Sequence, residues 1–141
     1  MILLDSNVLS ELARAAPHPA VLAWADAIPV GQFCTTAITE AEMRFGLELL
    51  PSGQRRERLQ RALDSVFRDV IAGRVLPFDR AAALAYGRLA AERRRAGRGI
   101  DIPDLQIAAI AVARGVDAIV TRNHRDFEAC GVPLVDPWTT A

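Results

Sequence analysis

The chain contains no lysine: all 17 of its basic residues are arginine, and 17 acidic residues balance them to a formal net charge of zero. A neutral chain exerts no long-range pull on polyanions, so gross charge neither requires nor excludes a nucleic-acid partner. The arginine bias itself reads as the mark of a GC-rich coding sequence. Cysteine is scarce as well. Cys34 and Cys130 stand far apart with no CxxC spacing, which argues against a disulfide framework or a zinc site and fits free thiols in a reducing compartment. Long hydrophobic runs are also missing. The apolar run Ile107 to Ala113 falls far short of the ~20 residues a membrane helix needs. The N-terminus MILLDSNVL has no basic leader, long apolar stretch or small-residue cleavage site, so a cytoplasmic protein with no membrane partner is expected. A glycine-rich phosphate loop is absent, which counts against P-loop and dinucleotide-binding enzymes.

What is present is the composition of a folded domain. With 141 residues, 51% apolar and 24% charged, the chain is long enough to bury a core without staples and fits one domain over residues 1–141. Short apolar runs alternate with longer stretches of helical periodicity. Ile2 to Leu4 reads as a buried strand that ends on Asp5, followed by a helix through Val8, Leu9, Leu12 and Ala13 that Ser6 and Asn7 can cap. A helix over Ala20 to Ala27 stops at Pro29. Gln32 to Thr35 is a second strand, and Thr36 caps a third helix. An arginine-rich helix runs to about Ile71 on the apolar stripe Leu59, Leu63, Val66, Phe67 and Val70. Arg74 to Phe78 is a strand, and Asp79 caps a long helix ending among Arg93, Arg94 and Arg95. Asp101 caps a central helix, with Pro103 in its first turn and Asp104 near the third helical position. Ala118 to Val120 is a strand; a turn then enters a short helix that Gly131 closes, and Pro133 to Val135 is the last strand. This alternation predicts an α/β fold with a central, mainly parallel sheet of about five short strands flanked by helices.

In such a sheet, sites form beyond the carboxyl ends of the strands. Asp5, Glu42, Asp104 and Asp126 can converge there. Carboxylates brought together repel unless a cation joins them, and hard oxygen ligands in that number suit Mg²⁺, with Mn²⁺ as substitute. An ion held this way lowers the pKa of water and stabilises a pentacovalent phosphorus, the chemistry of phosphodiester hydrolysis without a protein nucleophile. Taken singly, Asp5, Asp104 and Asp126 are equally well read as helix caps.

The stretches MILLDSNVLSEL, TTAITEAEMRFGL, RVLPFDRAAALAYGRLAAERRRAGR, DIPDLQIAAIAVARG and IVTRNHRDFEACGVPLVDPW follow one another in an order and spacing that resembles the PIN-domain ribonucleases. The match is to the VapC-type toxins of bacterial toxin-antitoxin pairs and their FitB-like branch. The resemblance covers nearly the whole chain. It implies a Mg²⁺-dependent endoribonuclease in which Asp5, Asp104 and Glu42 hold the metal and Asp126 completes the catalytic set. Many members carry an aspartate where this chain has Asn123, so either Asn123 or Asp126 can fill the fourth position. Ser6 replaces the commoner threonine and keeps the hydroxyl. Ser6, Asn7, Thr121, Arg122, Asn123 and Arg125 are then the expected substrate contacts. The implied partners are RNA, a VapB-like antitoxin whose C-terminal segment occupies the groove, and a second copy of the chain, with DNA reached only through the antitoxin. The alternative is a non-catalytic PIN-like module that binds nucleic acid in complex with an antitoxin.

The remaining candidates carry blander readings. His124 borders the proposed site but is read as a surface residue, and Cys34 and Cys130 as packing. Trp24 and Trp138 are edge or core aromatics by default, base platforms otherwise. The clusters Arg55, Arg56, Arg58, Arg61 and Arg93, Arg94, Arg95, Arg98 serve equally as phosphate contacts or solvated faces. A haloacid-dehalogenase-type phosphatase needs an aspartate where Asn7 stands, and a receiver domain needs the lysine this chain lacks. Ile38, Phe45 and Leu49 are candidates for a homodimer contact.

Overall fold

The computed structural model describes residues 1–139. Five strands, Ile2–Leu4 (β1), Phe33–Thr36 (β2), Val75–Leu76 (β3), Ala118–Val120 (β4) and Leu134–Val135 (β5), form one sheet in the order β3-β2-β1-β4-β5. Every pairing is parallel. Parallel neighbours need crossovers, and helices supply them: Ser6–Leu12 (α1), Pro19–Asp26 (α2), Ala37–Glu48 (α3), Gln54–Val66 (α4), Arg80–Arg95 (α5) and Ile102–Arg114 (α6).

Because side chains alternate along a strand, consecutive residues of β1 go to opposite faces. Leu3 and Leu4 are both fully buried, Leu3 against α5 and α6 and Leu4 against α1 and α4. The register extends this across the sheet, with Cys34 and Ile119 beside Leu3, and Val120 beside Leu4. Ile107 to Ala111 of α6 are all buried, which explains why the sequence there is apolar on every side rather than striped.

Local chemistry sets the helix ends. Asp101 accepts a 3.1 Å bond from the Asp104 amide, and Gly115, at φ +61°, closes α6 in the left-handed conformation. Thr36 and Asp79 cap α3 and α5 as expected. The first helix differs: Asp5 itself is the cap, accepting from the Ser6 amide at 2.8 Å, while Asn7 points sideways to strand β4. The arginine-rich helix is α-helical only to Val66 and continues to Ile71 as a π-helical turn, ended by Ala72 at φ +50°. After Asp126 the chain forms turns in place of the expected short helix. Ala129, at φ +62°, lies in the left-handed region there, where an α-helix cannot continue.

Candidate active site

Strand order runs outward from β1 to β3 on one side and from β4 to β5 on the other. The reversal falls between β1 and β4, which is where an open α/β sheet leaves a crevice at its carboxyl edge. Asp5 follows β1 and Thr121 follows β4. Both are buried, and the Thr121 hydroxyl donates a 2.8 Å bond to Asp5 Oδ2. Asn7 Nδ2 reaches the same oxygen at 3.4 Å and Thr121 Oγ1 at 3.2 Å, while its Oδ1 accepts from the Arg122 amide at 3.2 Å. The turn after β4 is thus tied to the first helix through one asparagine.

Around Asp5 the other carboxylates gather. Burial raises the pKa of Asp5 against the opposing hydrogen bonds from Thr121 and Ser6, and the charge of Asp126 adds to the rise. Asp104 is pushed up to about 7, first by burial, then by a carboxyl-to-carboxyl hydrogen bond with Asp126 and by the charges of Asp101, Asp126 and Asp5. Glu42, on the solvent side of α3, rises through partial desolvation and through the charges of Asp5 and Asp101. No arginine figures among the causes of these three shifts. Like charges therefore dominate the neighbourhood of these three carboxyls among the described residues.

All four sequence-derived acids therefore sense this crevice, though at unequal depth. Among the described residues, no three carboxylate, imidazole or thiol side chains converge tightly enough to chelate an ion. What fits a hard divalent cation is the donor chemistry, oxygen only and crowded with like charge. Of the two candidates for the fourth position, Asp126 is the one whose charge reaches Asp5 and Asp104, whereas Asn123 donates from Nδ2 to Asp126 and from its amide to Thr121 Oγ1 at 3.0 Å. Asp101, read from sequence only as a cap, also faces the cluster. A carboxylate one turn ahead of Asp104 was the available signal.

Of the proposed contacts, Ser6 offers its amide to Asp5, and Arg122 lies over the Trp138 ring with its guanidinium carbon 3.7 Å from the centroid. Arg125 is exposed and makes no hydrogen bond or ion pair among the described residues. His124 is half-buried, with no partner for Nε2. Trp24 packs on Phe33 in the core, centroids 5.9 Å apart. His18 caps α2 through Nδ1.

Comparison with known proteins gives this parallel α/β sheet, with acids collected at its switch point, a family. Residues 2–132 match the PIN domain, and the chain belongs to that family. It is 45% identical to the VapC ribonuclease Y4jK of Sinorhizobium fredii over the whole of both chains. It is 36% identical to the toxin FitB of Neisseria gonorrhoeae, across 98% of this chain and 99% of FitB. A solved structure of FitAB bound to a DNA fragment superposes with a TM-score of 0.88 at 35% identity, covering 100% of this chain and 98% of that one.

Proposed function

We propose that this protein is a Mg²⁺-dependent endoribonuclease and the toxin of a toxin-antitoxin pair, acting in the cytoplasm. The observation that carries the reading is the crowded acidic cluster centred on Asp5 and Asp104 at the β1/β4 crevice. Similarity over full length to proteins named as a ribonuclease and as a toxin supports the same reading. Asp5, Asp104 and Glu42 would hold Mg²⁺, with Mn²⁺ as substitute, and Asp126 would complete the set. The ion would supply activated water and offset charge on the scissile phosphate.

The remaining work falls to the chain. Thr121 and Asn7 hold the Asp5 carboxylate in one orientation; Asn123 holds Asp126. Arg122, stacked on Trp138 at the mouth, offers guanidinium donors to a phosphate. A VapB-like antitoxin would cover the crevice and bring the pair to DNA. Phe45 and Leu49, 65% and 69% exposed one turn apart on α3, present an apolar patch to a second copy of the chain. Ile38 does not belong to that patch, because it packs against the core.

The test is incubation of antitoxin-free protein with total RNA in Mg²⁺, Mn²⁺ or EDTA, beside Asp5→Asn and Asp104→Asn. Discrete cleavage that needs metal and vanishes in both variants is expected. Folded protein that binds RNA but never cuts it would instead favour the non-catalytic binding module.

A further inference from the structure

Two adjoining cavities beside the acidic cluster share Arg93, Arg98 and Asp126 in their walls. The outer one is an open cleft of about 640 Å³ between the loop 97–101 and Arg125. The inner one, about 230 Å³, is floored by Leu89, Leu105 and Ala108. Arg93 is fixed across the cleft by bonds to the Gly99 carbonyl at 3.1 Å and the Asp126 carbonyl at 3.4 Å. Arg98 meets Glu128 at 3.1 Å, and Arg125 is unpaired among the described residues. Gly97 and Gly99 leave the cleft wall without side chains, and nothing lies within 4 Å of where a Cβ would stand.

The two volumes differ in what they can recognise. The cleft wall has three arginines, bare backbone, Ile100 and the carboxylates of Asp101 and Asp126, with no aromatic ring, so its guanidinium groups can hold phosphates. The inner pocket joins an apolar floor to a rim of guanidinium donors and the carboxylates of Glu92 and Glu128. A flat body with apolar faces and a hydrogen-bonding edge matches that lining, as an unstacked nucleobase does. Asp126 stands in both walls and, through its hydrogen bond with Asp104, in the acidic cluster.

We infer that the two cavities together form a nucleotide subsite for single-stranded RNA: the cleft holds backbone phosphate next to the scissile bond, and the inner pocket takes one unstacked base. The inference rests on the ribonuclease reading. It makes cleavage selective at one position, chosen by the pocket, while Arg125 in the cleft adds affinity without choosing sequence.

Binding of fluorescein-labelled oligouridine, oligoadenosine and oligocytidine, with Ca²⁺ in place of Mg²⁺ and over a range of salt, tests this apart from catalysis. Arg125→Ala is expected to weaken all three alike and to flatten the slope of log affinity against log salt by about 0.7, the loss of one phosphate contact on a single strand. Ala96→Trp, at the exposed end of α5 in the pocket wall, is expected to leave the slope alone and weaken the preferred oligomer on the order of tenfold. If Ala96→Trp lowers the unfolding midpoint, Glu92→Trp, exposed on the same helix, reports on the pocket instead. Unchanged affinity and slope in Arg125→Ala, no ranking among the oligomers by the parent, or a parental ranking kept by the folded tryptophan variant would each overturn the subsite. A parent that ranks the oligomers, and loses that ranking in the tryptophan variant, yet cuts nothing in Mg²⁺ would overturn the ribonuclease reading alone.

Discussion

The Thr121 hydroxyl donates a 2.8 Å hydrogen bond to Asp5 Oδ2, joining the tips of β4 and β1 at the point where strand order reverses. Both residues are buried, so the bond is not shared with water. Thr121→Val keeps the shape and removes the donor, leaving an acceptor short of one partner at a cost of about 1–3 kcal/mol. It also removes the strongest influence holding the Asp5 pKa down, so the carboxyl is protonated at higher pH. The expected result in a urea titration is a lower midpoint with an unchanged slope, together with cleavage that needs a higher Mg²⁺ concentration, and Thr121→Ser should restore both. A variant indistinguishable from the parent would show that Thr121 does not position Asp5.

Stability of the metal-free protein should depend on pH in a stated direction. An unfolded aspartate titrates near 3.9, whereas Asp104 in the fold is pushed up to about 7. The folded state binds the proton more tightly, so its contribution is complete below about pH 4 and is lost as pH rises through about 7. Burial pushes Asp5 the same way. Urea midpoints in EDTA are therefore expected to fall between pH 5 and 8, and saturating Mg²⁺ should flatten the decline by binding the ionised cluster. A profile in EDTA that is level, or that rises, would contradict this placement of the carboxylates.

Asp104→Asn separates stability from activity. The position is the third of α6, where the helix dipole favours an anion by about 0.3–1 kcal/mol. Desolvation and the neighbouring charges nevertheless outweigh that preference, because the pKa of Asp104 moves up rather than down. Neutralising the side chain should raise the melting temperature in EDTA at pH 8 by about 3 °C, corresponding to roughly 1 kcal/mol. RNA cleavage should vanish at the same time. Calorimetry showing a loss of stability would mean that the dipole wins and the cluster is less crowded than the structure places it.

The gain expected at Asp104 bears on what the sequence could and could not reveal. Asp5 at a strand tip and Asp104 in a first turn follow from local rules, since caps and strand ends are written in a few adjacent residues. So do the caps at Thr36, Asp79 and Asp101. The part played by Asp101 in the cluster does not follow locally, because a cap needs only its own helix and a charge field needs every element that faces it. Residues after Asp126 show the opposite failure. A short helix is expected there, but the chain forms turns, Ala129 takes a left-handed conformation, and Phe127, between Asp126 and Ala129, is buried in the core. Asn7 is a third instance: an asparagine before a helix reads as a cap, yet Asp5 already fills that role and frees Asn7 to bond Thr121.

The exposed pair Phe45 and Leu49 gives the last prediction. Single apolar residues on a surface are ordinary, but two large ones a turn apart, each about two-thirds exposed, form a contiguous patch that water disfavours. A patch shared by two copies about a two-fold axis is self-complementary, so one substitution acts twice in the dimer. Neither side chain belongs to either buried core cluster, and replacing them should leave the monomer folded. Phe45→Glu with Leu49→Glu would place four carboxylates in such an interface and is expected to shift sedimentation from dimer to monomer, with the unfolding midpoint at low protein concentration little changed. If the doubly substituted chain sediments as the parent does, α3 is not the dimer contact, and the patch is left for the antitoxin. Competition between the antitoxin and the same substitutions would then read out that second role.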